Sequence, residues 1–154
     1  MLYVHNGSLA VPALVERAYL EAKAYVSRDS CERRLFARIE HDRSRRFTLR
    51  TNRGDDDFFD PNTNTIAWDP HSALRTTRGG RQSPALGLAH EIAHAVEDPR
   101  AYDRLSDRID LRYDTAEERR VIRGSERHAA RTLREGVRYD HSGTCYRVTT
   151  PAAS

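Results

Sequence analysis

Apolar residues recur at three- and four-residue intervals through Leu14, Val15, Ala18, Tyr19, Ala22 and Val26, the spacing of one helix face. This predicts a helix over 11–26, with Pro12 in a first turn that tolerates it. A second helix is expected from Ser30 to about His41, capped by the Ser30 hydroxyl and carrying a short stripe of Leu35, Phe36 and Ile39. The period then drops to two at Phe47, Leu49 and Thr51, which predicts a strand. Residues 52–64, with Gly54, Asp55-Asp56-Asp57 and Pro61, read as a solvated loop; the aspartate run lacks the alternating spacing of a calcium loop. Thr65-Ile66-Ala67-Trp68 is β-prone and is stopped by Asp69-Pro70, so it is a second strand. The polar stretch 70–83, with Gly79-Gly80, reads as a surface loop.

The best-defined helix comes next. Ser83-Pro84 is a start signal, a capping hydroxyl followed by proline at the first helical position, and Leu86, Ala89, Ile92, Ala93 and Val96 form the apolar face up to Pro99. Residues 100–113 are too polar and broken to assign. A last long helix is expected from Thr115 to about Glu135, with Val121, Ile122, Ala129 and Leu133 turned inward, and Tyr146–Thr149 reads as a short strand or tail. The pattern as a whole predicts a single α+β domain over residues 1–154.

Composition narrows the class. With 38% apolar and 32% charged residues, the core must be lean and the surface heavily charged. No apolar run approaches the roughly 18 residues of a membrane span, and the N-terminus lacks the basic-then-apolar layout of a secretory signal. The net charge of +3 is small and its signs are mixed along the chain, so neither a nucleic acid nor a membrane is the expected partner. Cys31 and Cys145 allow one bridge at most and no thiolate metal site.

The chemistry sits inside the best-defined helix. Its sequence Leu86 to Asp98 contains His90-Glu91-Ile92-Ala93-His94, an H-E-x-x-H motif. Residues four apart share one helix face, so His90 and His94 can point two imidazoles at one zinc ion, while Glu91, about 100° around the axis, reaches a water on that ion. The third ligand must come from downstream acids. Glu118 is favoured because Val121 and Ile122 place it on the inward face; Glu117 and the aspartates Asp98, Asp103, Asp107, Asp110 and Asp114 are the alternatives, with Glu126 a further acid on the same helix. A competing reading is that Thr115-Ala116-Glu117-Glu118 is only a capping box. Arg138, Tyr139, His141 and Tyr146 have the chemistry to hold an oxyanion; His141 is taken as catalytic and Arg138 and Tyr146 as substrate-binding.

The order Ile66-Ala67-Trp68-Asp69-Pro70, a Gly-rich loop, Leu88 to Ala95, the Glu117-Glu118 pair with Arg119 to Gly124 behind it, and Arg138-Tyr139-Asp140-His141-Ser142-Gly143 resembles the NleD-like family of bacterial effector zinc metallopeptidases. The similarity spans about Thr65 to Pro151, and Ala93 departs from the larger apolar residue the family often carries. The resemblance implies a compact zincin-like fold, its active-site helix beside a small, mostly antiparallel sheet. It also implies zinc on His90, His94 and a glutamate of the Glu117-Glu118 pair, with Glu91 as base. It further implies hydrolysis of a protein substrate in a target cell by a secreted effector or toxin domain, delivered without a cleaved signal and acting as a monomer. An edge strand would receive the substrate by β-addition, and Ile66 to Trp68 is the expected segment. The rival reading is a non-catalytic zincin-like or Arg-rich module that binds an acidic partner.

Overall fold

Leu9 and Val11, then Phe47 and Leu49, alternate with less buried neighbours and turn their side chains to one core. They belong to a five-stranded mixed sheet in the order β1-β2-β3-β5-β4. Its strands are β1 (Tyr3–Asn6), β2 (Leu9–Pro12), β3 (Phe47–Thr51), β4 (Phe58–Asp60) and β5 (Thr65–Trp68). The structure, a computed structural model, describes residues 1–54 and 56–154; Asp55, the first residue of the aspartate run, lies outside them. The fold is α+β, as expected, and no helix among the described residues is long and apolar enough to cross a membrane.

Several elements differ from the sequence reading. Val11 and Pro12 close strand β2, so the first helix starts only after a 3-10 turn, as α1 (Glu16–Val26). The second helix, α2 (Ser30–Glu40), is capped by Asp29, whose carboxylate accepts from the Cys31 and Glu32 amides, and not by Ser30. The loop expected over 70–83 is a hairpin of β6 (Ser72–Thr76) and β7 (Arg81–Gln82), and β10 (Gly143–Arg147) pairs along β6 to make a second, antiparallel sheet. The main sheet is not mostly antiparallel: β2–β3 and β3–β5 run parallel.

The sheet order also corrects the edge-strand expectation. β5 is hydrogen-bonded to β3 on one side and β4 on the other, and Ile66 and Trp68 are fully buried, so this segment has no free edge for a substrate. Trp68 serves the site differently: its indole Nε1 donates to the Pro84 carbonyl at 2.9 Å and pins the start of the next helix to the sheet.

That helix, α3 (Pro84–Ala95), is apolar nearly all round and correspondingly buried, packed against β4 and β5 and flanked by α1 and α2. Ser83 caps it as expected, its hydroxyl oxygen accepting from the Leu86 amide at 3.2 Å. Pro99 does more than end it: Asp98 caps and Pro99 opens a further helix, α4 (Pro99–Ser106). A small ribbon of β8 (Ile109–Asp110) and β9 (Asp114–Thr115) then leads into the last helical segment. This is α5 (Ala116–Val121), a π-helical turn over Ile122–Glu126 that breaks at Gly124, and α6 (Arg127–Leu133). Cys31 and Cys145 are both free thiols.

Candidate metal centre

Helix α3 presents His90 and His94 toward α5, and their Nε2 atoms lie 3.0 Å apart. Thr115 caps α5 by accepting from the Glu118 amide at 3.1 Å, but the Glu118 side chain does not close a capping box: the Thr115 amide donates instead to the Tyr113 carbonyl. Glu118 reaches the histidines, with Oε2 2.9 Å from His90 Nε2 and Oε1 3.2 Å from His94 Nε2. Three donors around a tetrahedral zinc with bonds of about 2.0–2.1 Å sit about 3.3 Å from one another, so this triangle of two imidazoles and a carboxylate fits that ion to within a few tenths of an ångström. Glu91 flanks the triangle, Oε1 3.9 Å from His90 Nε2.

The outward ring nitrogens are also held. His90 Nδ1–H donates to Glu126 Oε2 at 2.6 Å and His94 Nδ1–H to Glu117 Oε1 at 2.9 Å. Each carboxylate is backed by an arginine. Arg138 donates twice to Glu126, through Nε at 2.8 Å and Nη2 at 2.7 Å, and Gln82 adds a third bond at 3.0 Å. Arg120 grips Glu117 through Nε at 2.9 Å and Nη2 at 2.6 Å. Carboxylates on the far nitrogen fix the ring orientation and leave Nε2 free to face an ion, which is how metal-binding histidines are normally supported.

The π-helical turn explains how one helical segment supplies all three acids. Along a straight α-helix, eight residues rotate by about 800°, which would leave Glu126 about 80° away from Glu118. The extra residue absorbed at Ile122–Glu126 makes the separation behave like seven, near two whole turns, and both side chains face α3. This bulge is why Glu126, seen in the sequence only as one more downstream acid, was not recognised as the support of His90.

Electrostatics follow from these contacts. Burial opposes charge on His90, but the hydrogen bonds to Glu118 and Glu126 outweigh it and lift the ring to about 10; His94 is raised for the same reasons through Glu117 and Glu118. Burial also works against Glu118, Glu117 and Glu126, yet their cationic partners hold all three below the usual carboxylate range. The centre is therefore built to keep three carboxylates ionised around one cationic position. Glu91 differs: burial raises its carboxyl.

A cleft of about 400 Å³ opens over the centre, with His90, Glu91, Arg138, His141, Asp114 and Cys145 in its walls. His141 lies beside Glu118, its Nε2 3.4 Å from Glu118 Oε2, and Asp114 orients it from behind at 2.5 Å from Nδ1. Arg138 is in the cleft wall but its guanidinium is engaged with Glu126, so it acts behind His90. Tyr146 is not a wall of the cleft: the pleat turns it away from Cys145, and its ring lies near the Arg81 guanidinium, 6.0 Å from the centroid. Asp57, read from the sequence as part of a solvated loop, lines the cleft. No family model, curated protein or solved structure matches the chain.

Proposed function

We propose that this chain is a zinc-dependent endopeptidase of zincin-like fold, and that it acts on a protein in a target cell as a secreted effector or toxin domain. One observation carries the chemistry: the Nε2 atoms of His90 and His94 and the Glu118 carboxylate converge on one point beside Glu91, and His90 and Glu91 line an open cleft. The delivery and target-cell part is supported by the resemblance in motif order.

His90, His94 and Glu118 would hold the ion, which when bound supplies an acidified water and a polarised substrate carbonyl. The remaining work belongs to the side chains around it. Glu91, at the ion's flank and with its carboxyl raised by burial, takes the proton of the attacking water and passes it to the leaving amine. A base whose affinity for protons has been raised in this way does both halves of the transfer more readily than an exposed glutamate. His141, held by Asp114, offers its Nε2–H to the oxygen on which negative charge develops, on the open side of the centre. Arg138 and Arg120 keep Glu126 and Glu117 ionised, so that both imidazoles stay fixed while charge moves past them.

The test combines metal content with cleavage. Elemental analysis should find one zinc per chain in both the wild type and Glu91→Gln, and mapping of new termini in target-cell lysates should find cleavages made by the wild type alone. A chain that takes up no metal removes the centre; metal in both proteins with no cleavage by either favours a zincin-like binding module. His141→Ala should keep the zinc and lower kcat by about a hundredfold, the usual scale for one oxyanion donor.

A further inference from the structure

The cleft lining is rich in acidic side chains. Asp56, Asp57, Glu91 and Asp114 line the cleft, while its one arginine, Arg138, is engaged by Glu126. Asp57 is the most deeply placed of the loop acids. Its Oδ1 accepts from the Asp69 amide at 2.9 Å and the Asn52 side chain also donates to it, so the carboxyl is fixed in place. Its Oδ2 stands over Gly87, where a Cβ would lie 3.4 Å away.

Gly87 is the only helical position of α3 that is not buried, and it precedes Glu91 by one turn. A glycine in a helix interior costs roughly 0.5–1 kcal/mol relative to alanine, so its presence calls for a spatial reason. Here the missing side chain leaves a floor between Asp57 and Glu91, open to the cleft. The neighbouring acid is treated differently: Asp69 has its own cation, Arg147, at 2.5 Å. Asp57 has no ion-pair partner among the described residues. Burial pushes its carboxyl up to about 8; the Asp69 amide works against this, and the Glu91 and Asp69 carboxylates add to it.

We propose that Asp57, with Gly87 as its floor, is the specificity-determining element of the cleft and selects a lysine or arginine side chain flanking the scissile bond. The inference rests on the peptidase reading and names its substrate class. A guanidinium or ammonium placed there supplies the cation that Asp57 lacks, ionises it, and makes a charge-assisted hydrogen bond with it. A long basic side chain needs the depth that Gly87 provides, and a Cβ at that position shortens it.

The test uses the zinc-loaded chain on a proteome-derived peptide library, followed by matched peptides carrying arginine or norleucine at the selected position. The wild type should cut with lysine or arginine enriched at one position beside the new terminus. Asp57→Asn should lower the ratio of kcat/KM for the arginine peptide over the norleucine peptide by about tenfold or more. Gly87→Ala, which favours the helix and leaves Asp57 in place, should lower the same ratio. Cleavage by the wild type without basic enrichment, or a ratio unchanged in both variants, overturns the assignment and leaves the peptidase intact. Absence of any cleavage that Glu91→Gln does not also show overturns the peptidase reading, and this inference with it.

Discussion

Glu126 and Glu32 are equally buried, each about 1% exposed, and they behave in opposite ways. Glu126 accepts hydrogen bonds from His90, Arg138 and Gln82 and is held well below the usual carboxylate range. Glu32, in the first turn of α2, has an Oε2 with no hydrogen-bond partner; burial, with Asp29 and Glu126 nearby, pushes it up to about 8. Burial therefore does not decide whether an acid in this molecule is charged; its partners do. Glu117, Glu118 and Glu126 each have a cationic partner that keeps them charged, whereas Glu32 is near neutral at pH 7 and is a cost to the fold once it ionises.

The largest expected effect comes from removing the paired acid. Glu126→Ala strands the Arg138 guanidinium in the interior and frees His90 Nδ1, so chemical denaturation should show a loss of about 3–5 kcal/mol. Zinc affinity should fall by about 10–100-fold as well. A loss of stability with unchanged zinc affinity would show that Glu126 only neutralises Arg138. Glu117→Gln is milder, because Arg120 keeps bonds to Glu97 and the Ala93 carbonyl: one zinc per chain is retained, bound about tenfold more weakly by competition with a chelator.

The unpaired acid should do the reverse. An acid whose folded pKa is raised costs nothing below its unfolded value near 4.5; the cost grows as pH rises and levels off above about 8. Glu32→Gln should therefore gain on the wild type between pH 5 and pH 8, by about 3 kcal/mol across that window. Denaturation curves of both proteins at the two pH values read this directly, since other titrations cancel in the difference. A constant difference between the two would mean that Glu32 finds a partner in solution.

What could be read from the chain divides along the same physical line. Helix α3 was legible because its cap, its proline and its apolar spacing are all local, and His90, Glu91 and His94 came with it. Glu118 was legible because Val121 and Ile122 mark its face. Glu126 fell outside the projection because a straight-helix count cannot show the bulge before it. The β6–β7 hairpin was hidden because its polar strands are stabilised by β10, more than sixty residues away, and Ile66 looked like an edge because nothing local announces β4. Asp57 carries no sequence signal beyond a run of aspartates; only the fold turns it from the loop into the cleft.

The smallest effect separates two roles that meet at Glu118. Its amide is capped by Thr115 while its carboxylate faces the histidines, so cap and ligand are different atoms of one residue. Thr115→Ala removes the cap alone and should cost about 1 kcal/mol with one zinc still bound. Glu118→Gln keeps the amide that Thr115 caps and removes the charge at the centre, so it should lose the zinc with little change in metal-free stability. If Glu118 mattered only as a capping partner, both variants would retain metal and differ by tenths of a kcal/mol. Zinc lost from Glu118→Gln but kept by Thr115→Ala places the carboxylate, and not the helix start, at the ion.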